Sequence, residues 1–325
     1  MIVLVSLFFT GSCYGKQIND KTYGCLPQCG VDLHKIFSRA FPGRCSKLKA
    51  DVNMSIHDLA KIGLGGTPIG SVLGRIPFTK ALYRQFAQNY RHHAGLFCGV
   101  YHSYDDAEAD IVEGRAAGWN NEETASIWLD NIAPMREATY PLLMWLSILL
   151  REKMTLVDYG GSIGLTFYGF QRYFRLPAAA RWIVAEVPTI ATQGRKVAGE
   201  QDVPLEFVTE PQRAPPADIL LSAGAIQYMK DIIPGLLDRF VARPRHILLN
   251  KVPLTDGPTF WTLQNFGSAV SPYQVYNEAE FFEYFAEAGY RLRDRWDVHE
   301  LDCFIPFHPD RCVPHFAGLY FEKAD

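Results

Sequence analysis

The chain has 325 residues, 48% of them apolar and 21% charged, a balance that excludes a disordered chain and suits one large domain with an appendage or two modest ones. Lys and Arg total 32 and Asp and Glu 35, so the net charge of −3 lacks the clustered basic excess that nucleic-acid binding calls for. Seven cysteines are too thinly spread for a disulfide scaffold, and Cys25, Cys29 and Cys45 lack the paired spacing of a zinc site, so no metal is expected.

The first 15 residues carry an apolar run at 2–9 with no Lys or Arg before it, a poor export signal, and the chain is expected to be cytoplasmic. The segment Lys61-Ile-Gly-Leu-Gly-Gly-Thr-Pro-Ile-Gly70 has the look of a phosphate loop. It lacks a preceding strand and a Gly-Lys-Ser/Thr ending, so it reads as a linker within an N-terminal extension over 1–70. Residues 71–153 are predicted to form a mostly helical cap. Within 122–150, Pro134 and Pro141 should break a run that carries Ile127, Ile132, Met135, Leu142, Leu143, Leu146, Leu149 and Leu150. Its end, 140–150, is apolar on nearly every side, which predicts burial, and at 11 residues it is too short to span a bilayer. No stable membrane insertion is expected.

From residue 154 to 325 the pattern becomes alternating strands and helices. Short apolar runs at 155–157, 182–185, 205–208, 218–221 and 246–249 predict buried parallel strands covered on both faces. Ile226, Met229, Ile233, Leu236, Leu237 and Phe240 share one helical face and predict a helix. Another helix opens at Asn277, a good N-cap with Glu280 three residues on, and stops before Gly289. Strand candidates at 290–296 and 316–321 follow with no helix between them, so they should pair as an antiparallel hairpin. The predicted class is therefore α/β, a Rossmann-like sheet of five parallel strands plus a terminal hairpin, an ending most NAD-type sheets lack.

The strongest chemical signal is Leu156-Val-Asp158-Tyr-Gly160-Gly161-Ser-Ile-Gly164, a strand ending in an acid, then a glycine-rich turn, then a helix. Glycines let a ligand approach the backbone closely. A carboxylate at that strand end would repel a pyrophosphate but suits the cationic methionyl part of S-adenosylmethionine. Glu186 ends the next strand, 22 residues beyond Gly164, a spacing at which an acid can accept hydrogen bonds from both ribose hydroxyls. Ser222, at the end of the fourth strand, and Thr209 with Glu210, after the third, fall at the carboxyl edge where ligands of such sheets sit.

These segments carry a family resemblance. With Phe97-Cys-Gly-Val-Tyr-His-Ser-Tyr104, Trp182-Ile-Val-Ala-Glu186, Ser222-Ala-Gly-Ala-Ile-Gln-Tyr228, Thr262-Leu-Gln-Asn265 and Phe316-Ala-Gly-Leu-Tyr-Phe321, the chain resembles a group of predicted bacterial class I methyltransferases often associated with surface-polysaccharide gene clusters. The likeness covers roughly 75–325. It implies a seven-stranded sheet, S-adenosylmethionine as cofactor, Asp158, Gly160, Gly161, Gly164 and Glu186 at the cofactor site, and a small-molecule or glycan acceptor. Ser162 departs from the Asp-x-Gly-x-Gly-x-Gly pattern, which has glycine there.

Acceptor contacts are expected from Tyr101 and His102, from Gln227 and Tyr228, and from Gln264 and Asn265. Tyr101, His102, Lys251 and His315 are the candidate bases, none singled out. An NAD(P)-linked oxidoreductase and a noncatalytic binding module stay open beside the methyltransferase.

Overall fold

The computed structural model describes residue 74 and residues 76–91, 95–121 and 136–324. The apolar run at 2–9, the cysteines Cys25, Cys29 and Cys45, the glycine-rich segment 61–70 and the stretch 122–135 lie outside the described residues. The first described elements are α1 (Pro77–Asn89), β1 (Leu96–Tyr101), α2 (Tyr104–Ala109) and α3 (Tyr140–Leu149). The alternating part runs β2 (Thr155–Tyr159), α4 (Leu165–Gln171), β3 (Arg181–Ala185), α5 (Pro188–Glu200), β4 (Leu205–Val208), β5 (Ile219–Ala223), α6 (Ile232–Gly235) and β6 (His246–Val252). It closes with β7 (Leu254–Thr255), β8 (Phe260–Asn265), β9 (Val270–Asn277), α7 (Glu278–Glu287), β10 (Tyr290–Val298) and β11 (Phe316–Lys323).

Seven strands form the main sheet in the order β10-β11-β6-β5-β2-β3-β4. The first five of them in the chain run parallel, while β11 is antiparallel to both β6 and β10. Counted along the chain within the sheet, the order is 3-2-1-4-5-7-6 with the seventh strand reversed, and the five parallel strands and terminal antiparallel hairpin are those expected from the sequence. The order turns around between β2 and β5, which opens a crevice at their carboxyl ends.

Alternation along each strand divides the core into two layers. Val157, Tyr159, Leu220, Ile247 and Leu249 face α7 through Phe281 and Phe285. Leu156, Trp182, Val184, Leu221 and Leu248 face α3, α4 and α5 through Leu142, Leu146, Phe167, Phe170 and Val197. α7 begins where the sequence places it, with the Asn277 side chain accepting from Glu280 N at 2.9 Å.

Two expectations are corrected. The apolar face at 226–240 is not one helix but short turns at 226–228, 232–235 and 237–239. Asp231 there is left-handed at φ 52°, and Pro234 has no N–H to continue a helical ladder. α3 is also not buried all round: Leu142, Leu143 and Leu146 are, but Met144 and Ile148 are 46% and 45% exposed.

The expected cap region supplies a strand as well as helices. β1 pairs antiparallel with β8, β8 with β9, and β9 parallel with β7, giving a second, four-stranded sheet. Its strands β7, β8 and β9 are inserted between β6 and α7, beyond the carboxyl end of β6, and β1 joins them from ahead of β2. Among the described residues no helix is long and apolar enough to cross a membrane.

Phe285 is fully buried and stacks on Phe321, ring centroids 4.3 Å apart, tying α7 to β11. Phe285→Ala is expected to cost about 3–5 kcal/mol of unfolding free energy, read from the shift of a urea transition.

Candidate functional site

The turn after β2 is built so that side chains are excluded. Gly160 and Gly164 have φ of 70° and 99°, the left-handed region that glycine enters without penalty. A Cβ on Gly160 would fall 2.1 Å from Ala225 Cβ, and one on Gly164 2.3 Å from Leu205 Cδ2. A Cβ on Gly161 would lie 2.4 Å from Asp158 Cγ, so the turn rides directly on that carboxylate. Ser162 takes a left-handed φ of 57° as well, a region a side chain enters at a cost. Its hydroxyl is buried with no partner in the protein.

Asp158 shares the face of β2 that Leu156 and Trp182 define, beneath the turn, and is 0% exposed. Trp182 Nε1 donates to its Oδ2 at a long 3.4 Å, and Oδ1 has no partner within the protein. Burial, opposed by the Trp182 hydrogen bond and reinforced by the charge of Glu186, pushes this carboxyl up to about 7. Glu186 follows β3 and its carboxylate spans two backbone segments. One oxygen accepts from Ser162 N at 3.0 Å and the other from Val187 N at 2.8 Å. Burial raises its pKa, and the Val187 and Ser162 hydrogen bonds pull it back. Each oxygen keeps a further lone pair for a hydroxyl donor.

The crevice wall on the β5 side is partly committed to structure. Ser222 Oγ donates to Tyr159 O at 2.8 Å, bracing β5 against β2. Gln227 is buried, with Oε1 lacking a partner, and its amide lies beside the Tyr273 hydroxyl. Tyr228 donates to Gln264 Oε1 at 2.5 Å and packs edge-on against Tyr273, so the second sheet meets the main sheet's crevice at these residues. Lys251 follows with a left-handed φ of 61°, and its chain lies against Gly224, where a Cβ would sit 3.2 Å from Lys251 Cδ. Burial and then Arg136 hold its ammonium below the ordinary lysine value, opposed by Glu300.

Other candidates stand apart from these groups. Asn265 Nδ2 donates to Ala87 O at 2.5 Å and Tyr90 O at 2.6 Å, and its Oδ1 accepts from Gly267 N and Arg115, so its amide is spent inside the fold. Tyr101 donates to Asp110, which also pairs with Arg84, and His102 is exposed at the end of β1. His315 Nε2 lies 3.4 Å from Asp297 on the hairpin side. Thr209 is half-buried after β4, and Glu210 is exposed and paired with Arg213. Among the described residues no cluster of His, Cys, Asp or Glu is arranged to hold a metal ion.

The structure adds residues that sequence reasoning missed. Trp119 stacks on Phe266 at 4.0 Å and meets Tyr228 edge-on at 5.0 Å. It lies in a stretch without periodicity, so no pattern marks it. Tyr273, in a strand buried on both faces, is hidden for the same reason.

No protein-family model matches the sequence, and no curated protein matches it. Solved structures of similar chain path do exist. One is the Burkholderia thailandensis 1,6-didemethyltoxoflavin-N1-methyltransferase with bound 1,6-didemethyltoxoflavin and S-adenosylhomocysteine. It is 17% identical over 72% of this chain and 95% of that one, with a TM-score of 0.42. A SAM-dependent methyltransferase from Aquifex aeolicus is 16% identical over 62% and 98% of the two chains, also at 0.42. OxaC is 14% identical over 63% of this chain and 52% of its own, again at 0.42.

Two outcomes follow for stability. Ser162→Gly removes a left-handed non-glycine and a buried unpartnered hydroxyl, and should leave the ligand-free protein about 0.5–1.5 kcal/mol more stable by chemical denaturation. Asp158 titrates higher folded than unfolded, so the stability it adds is full below about pH 4 and is lost as pH rises through about 7. Asp158→Asn should therefore unfold later than the parent at pH 8, by on the order of 1–3 kcal/mol, with the advantage gone near pH 4.

Proposed function

We propose that this chain is a methyltransferase that takes S-adenosylmethionine as its methyl donor and a small molecule as acceptor. The observation that carries the assignment is the Glu186 carboxylate, fixed by the amides of Ser162 and Val187 at the open end of β2 and β3. It lies at the position where an acid can take both hydroxyls of a ribose. The turn beside it carries glycine at 160, 161 and 164 and buries the Ser162 and Ile163 side chains, and the buried Asp158 under the turn supplies negative charge toward a cationic methionyl group. The reversed seventh strand favours this reading over a nicotinamide-linked oxidoreductase.

The donor set fits that cofactor. Glu186 would hold the ribose, and the backbone of residues 160–164 would face the methionyl part. Once bound, the cofactor supplies a methyl group on positively charged sulfur, a leaving group already activated. The protein's own contribution is then chiefly alignment of the acceptor with the methyl carbon. Gln227, Tyr228 and Gln264 form the acceptor-side wall, and Lys251, with its ammonium destabilised by burial, is the group there best suited to take a proton from an acceptor hydroxyl. A sugar or glycan precursor is the acceptor class that the sequence resemblance suggests.

Calorimetric titration with S-adenosylhomocysteine should show one site per chain. Glu186→Ala should weaken it about 10- to 150-fold, the loss of a hydrogen bond to a charged group. NADH and NADPH should give no heat. Tight binding of NADH, or an affinity for S-adenosylhomocysteine unchanged in a folded Glu186→Ala variant, would overturn the assignment.

A further inference from the structure

The strap at residues 115–121 lies outside the helices and strands, joins the second sheet at a bridge from Ala117 to Val270, and is fastened at both ends. On one side it is rooted in the β8–β9 hairpin. Arg115 donates to Gly267 O at 2.8 Å and to Asn265 Oδ1 at 3.2 Å, Gly118 N donates to Val270 O, and Val270 N donates to Ala116 O, both at 3.0 Å. On the other side Asn120 Oδ1 accepts from Thr189 N at 3.1 Å, in the first turn of α5, where the helix has no side-chain cap of its own.

Between these anchors stands Trp119. It packs against the Ile163–Ile190 pair alongside Leu165 and Val187, while its ring stacks on Phe266 and meets Tyr228 edge-on. Ile163 and Val187 are the residues next to Ser162 and next to Glu186. The indole therefore shares an apolar cluster with side chains adjacent to Ser162 and to Glu186, and its ring at the same time meets the acceptor-side wall. A large planar side chain at a ribose-binding carboxylate adds apolar contact at little entropic cost.

We propose that Trp119 is a cofactor-contacting residue, walling the ribose end of the site, and that the 115–121 strap couples cofactor occupancy to the β8–β9 hairpin that carries Gln264. This rests on the cofactor assignment above and adds a route from cofactor site to acceptor site. The strap's anchors at the hairpin and at α5 can carry a change in either direction. A ligand that tightens the Trp119 contacts is expected to tighten the Arg115 and Gly118 hydrogen bonds as well, since these hold the same short segment to the hairpin.

The test is S-adenosylhomocysteine titration of the full chain together with hydrogen exchange read by mass spectrometry. In the parent, saturating ligand should slow exchange at 115–121 and at 264–270 as well as at 160–164. Trp119→Ala should bind about tenfold or more weakly and Trp119→Phe within about threefold of the parent, since an aromatic face is kept. Asn120→Ala, which removes the Thr189 contact and leaves Trp119 in place, should bind the ligand but show less of its slowing of exchange at 264–270. It also serves if Trp119→Ala fails to fold. Parent-like affinity in folded Trp119→Ala, or hairpin protection undiminished in Asn120→Ala, overturns the proposal. Absence of binding by the parent itself overturns the cofactor assignment instead.

Discussion

The Glu186 carboxylate is the joint on which the site depends. Strands β2 and β3 are hydrogen-bonded neighbours, and the last backbone bond between them, Gly160 N to Ala185 O at 2.8 Å, stops short of Ser162 and Val187 and leaves these to be joined otherwise. Glu186 supplies that connection by accepting from Ser162 N on one side and Val187 N on the other. A charged acceptor makes each bond stronger than a neutral one, and its cost is desolvation, visible in the raised pKa of the group. The left-handed Ser162 is tolerated within this arrangement, since its N–H must point at the carboxylate.

A second acid deepens the cost. Asp158 is buried with one oxygen unpartnered, close enough to Glu186 for their charges to interact unfavourably. Two such carboxylates at the open edge of a sheet make poor structural glue; apolar residues would serve the ligand-free fold better. Their presence is intelligible if a ligand that is cationic at one end and rich in hydroxyls at the other offsets the penalty on binding.

Much of the main sheet was legible in the sequence because its strands are short apolar runs set between helices, and Asn277 with Gly289 frames α7 by simple capping chemistry. The turn was legible because Gly160 and Gly164 serve positions where a Cβ has no room. The second sheet was not. β8 and β9 bury Thr262, Ser271 and Gln274 among their apolar residues, so neither an alternating nor a continuous apolar pattern survives. The run at 226–240 misled in the other direction: its apolar residues fall at helical spacing, but Asp231 and Pro234 break the backbone. Asn265 closes the segment 262–265 that carries the family resemblance and so reads as an acceptor contact, whereas here its amide donates to backbone carbonyls at the end of α1. Side-chain type gave the acids and glycines; only the three-dimensional path could bring Trp119 to them.

The most direct check is a crystal structure of the chain grown with S-adenosylhomocysteine. The ribose hydroxyls should lie within hydrogen-bond distance of the Glu186 carboxylate, with the homocysteine end over residues 160–164 and its sulfur facing Gln227 and Tyr228. A nucleoside bound elsewhere, or a Glu186 carboxylate turned away from an occupied crevice, would contradict the account.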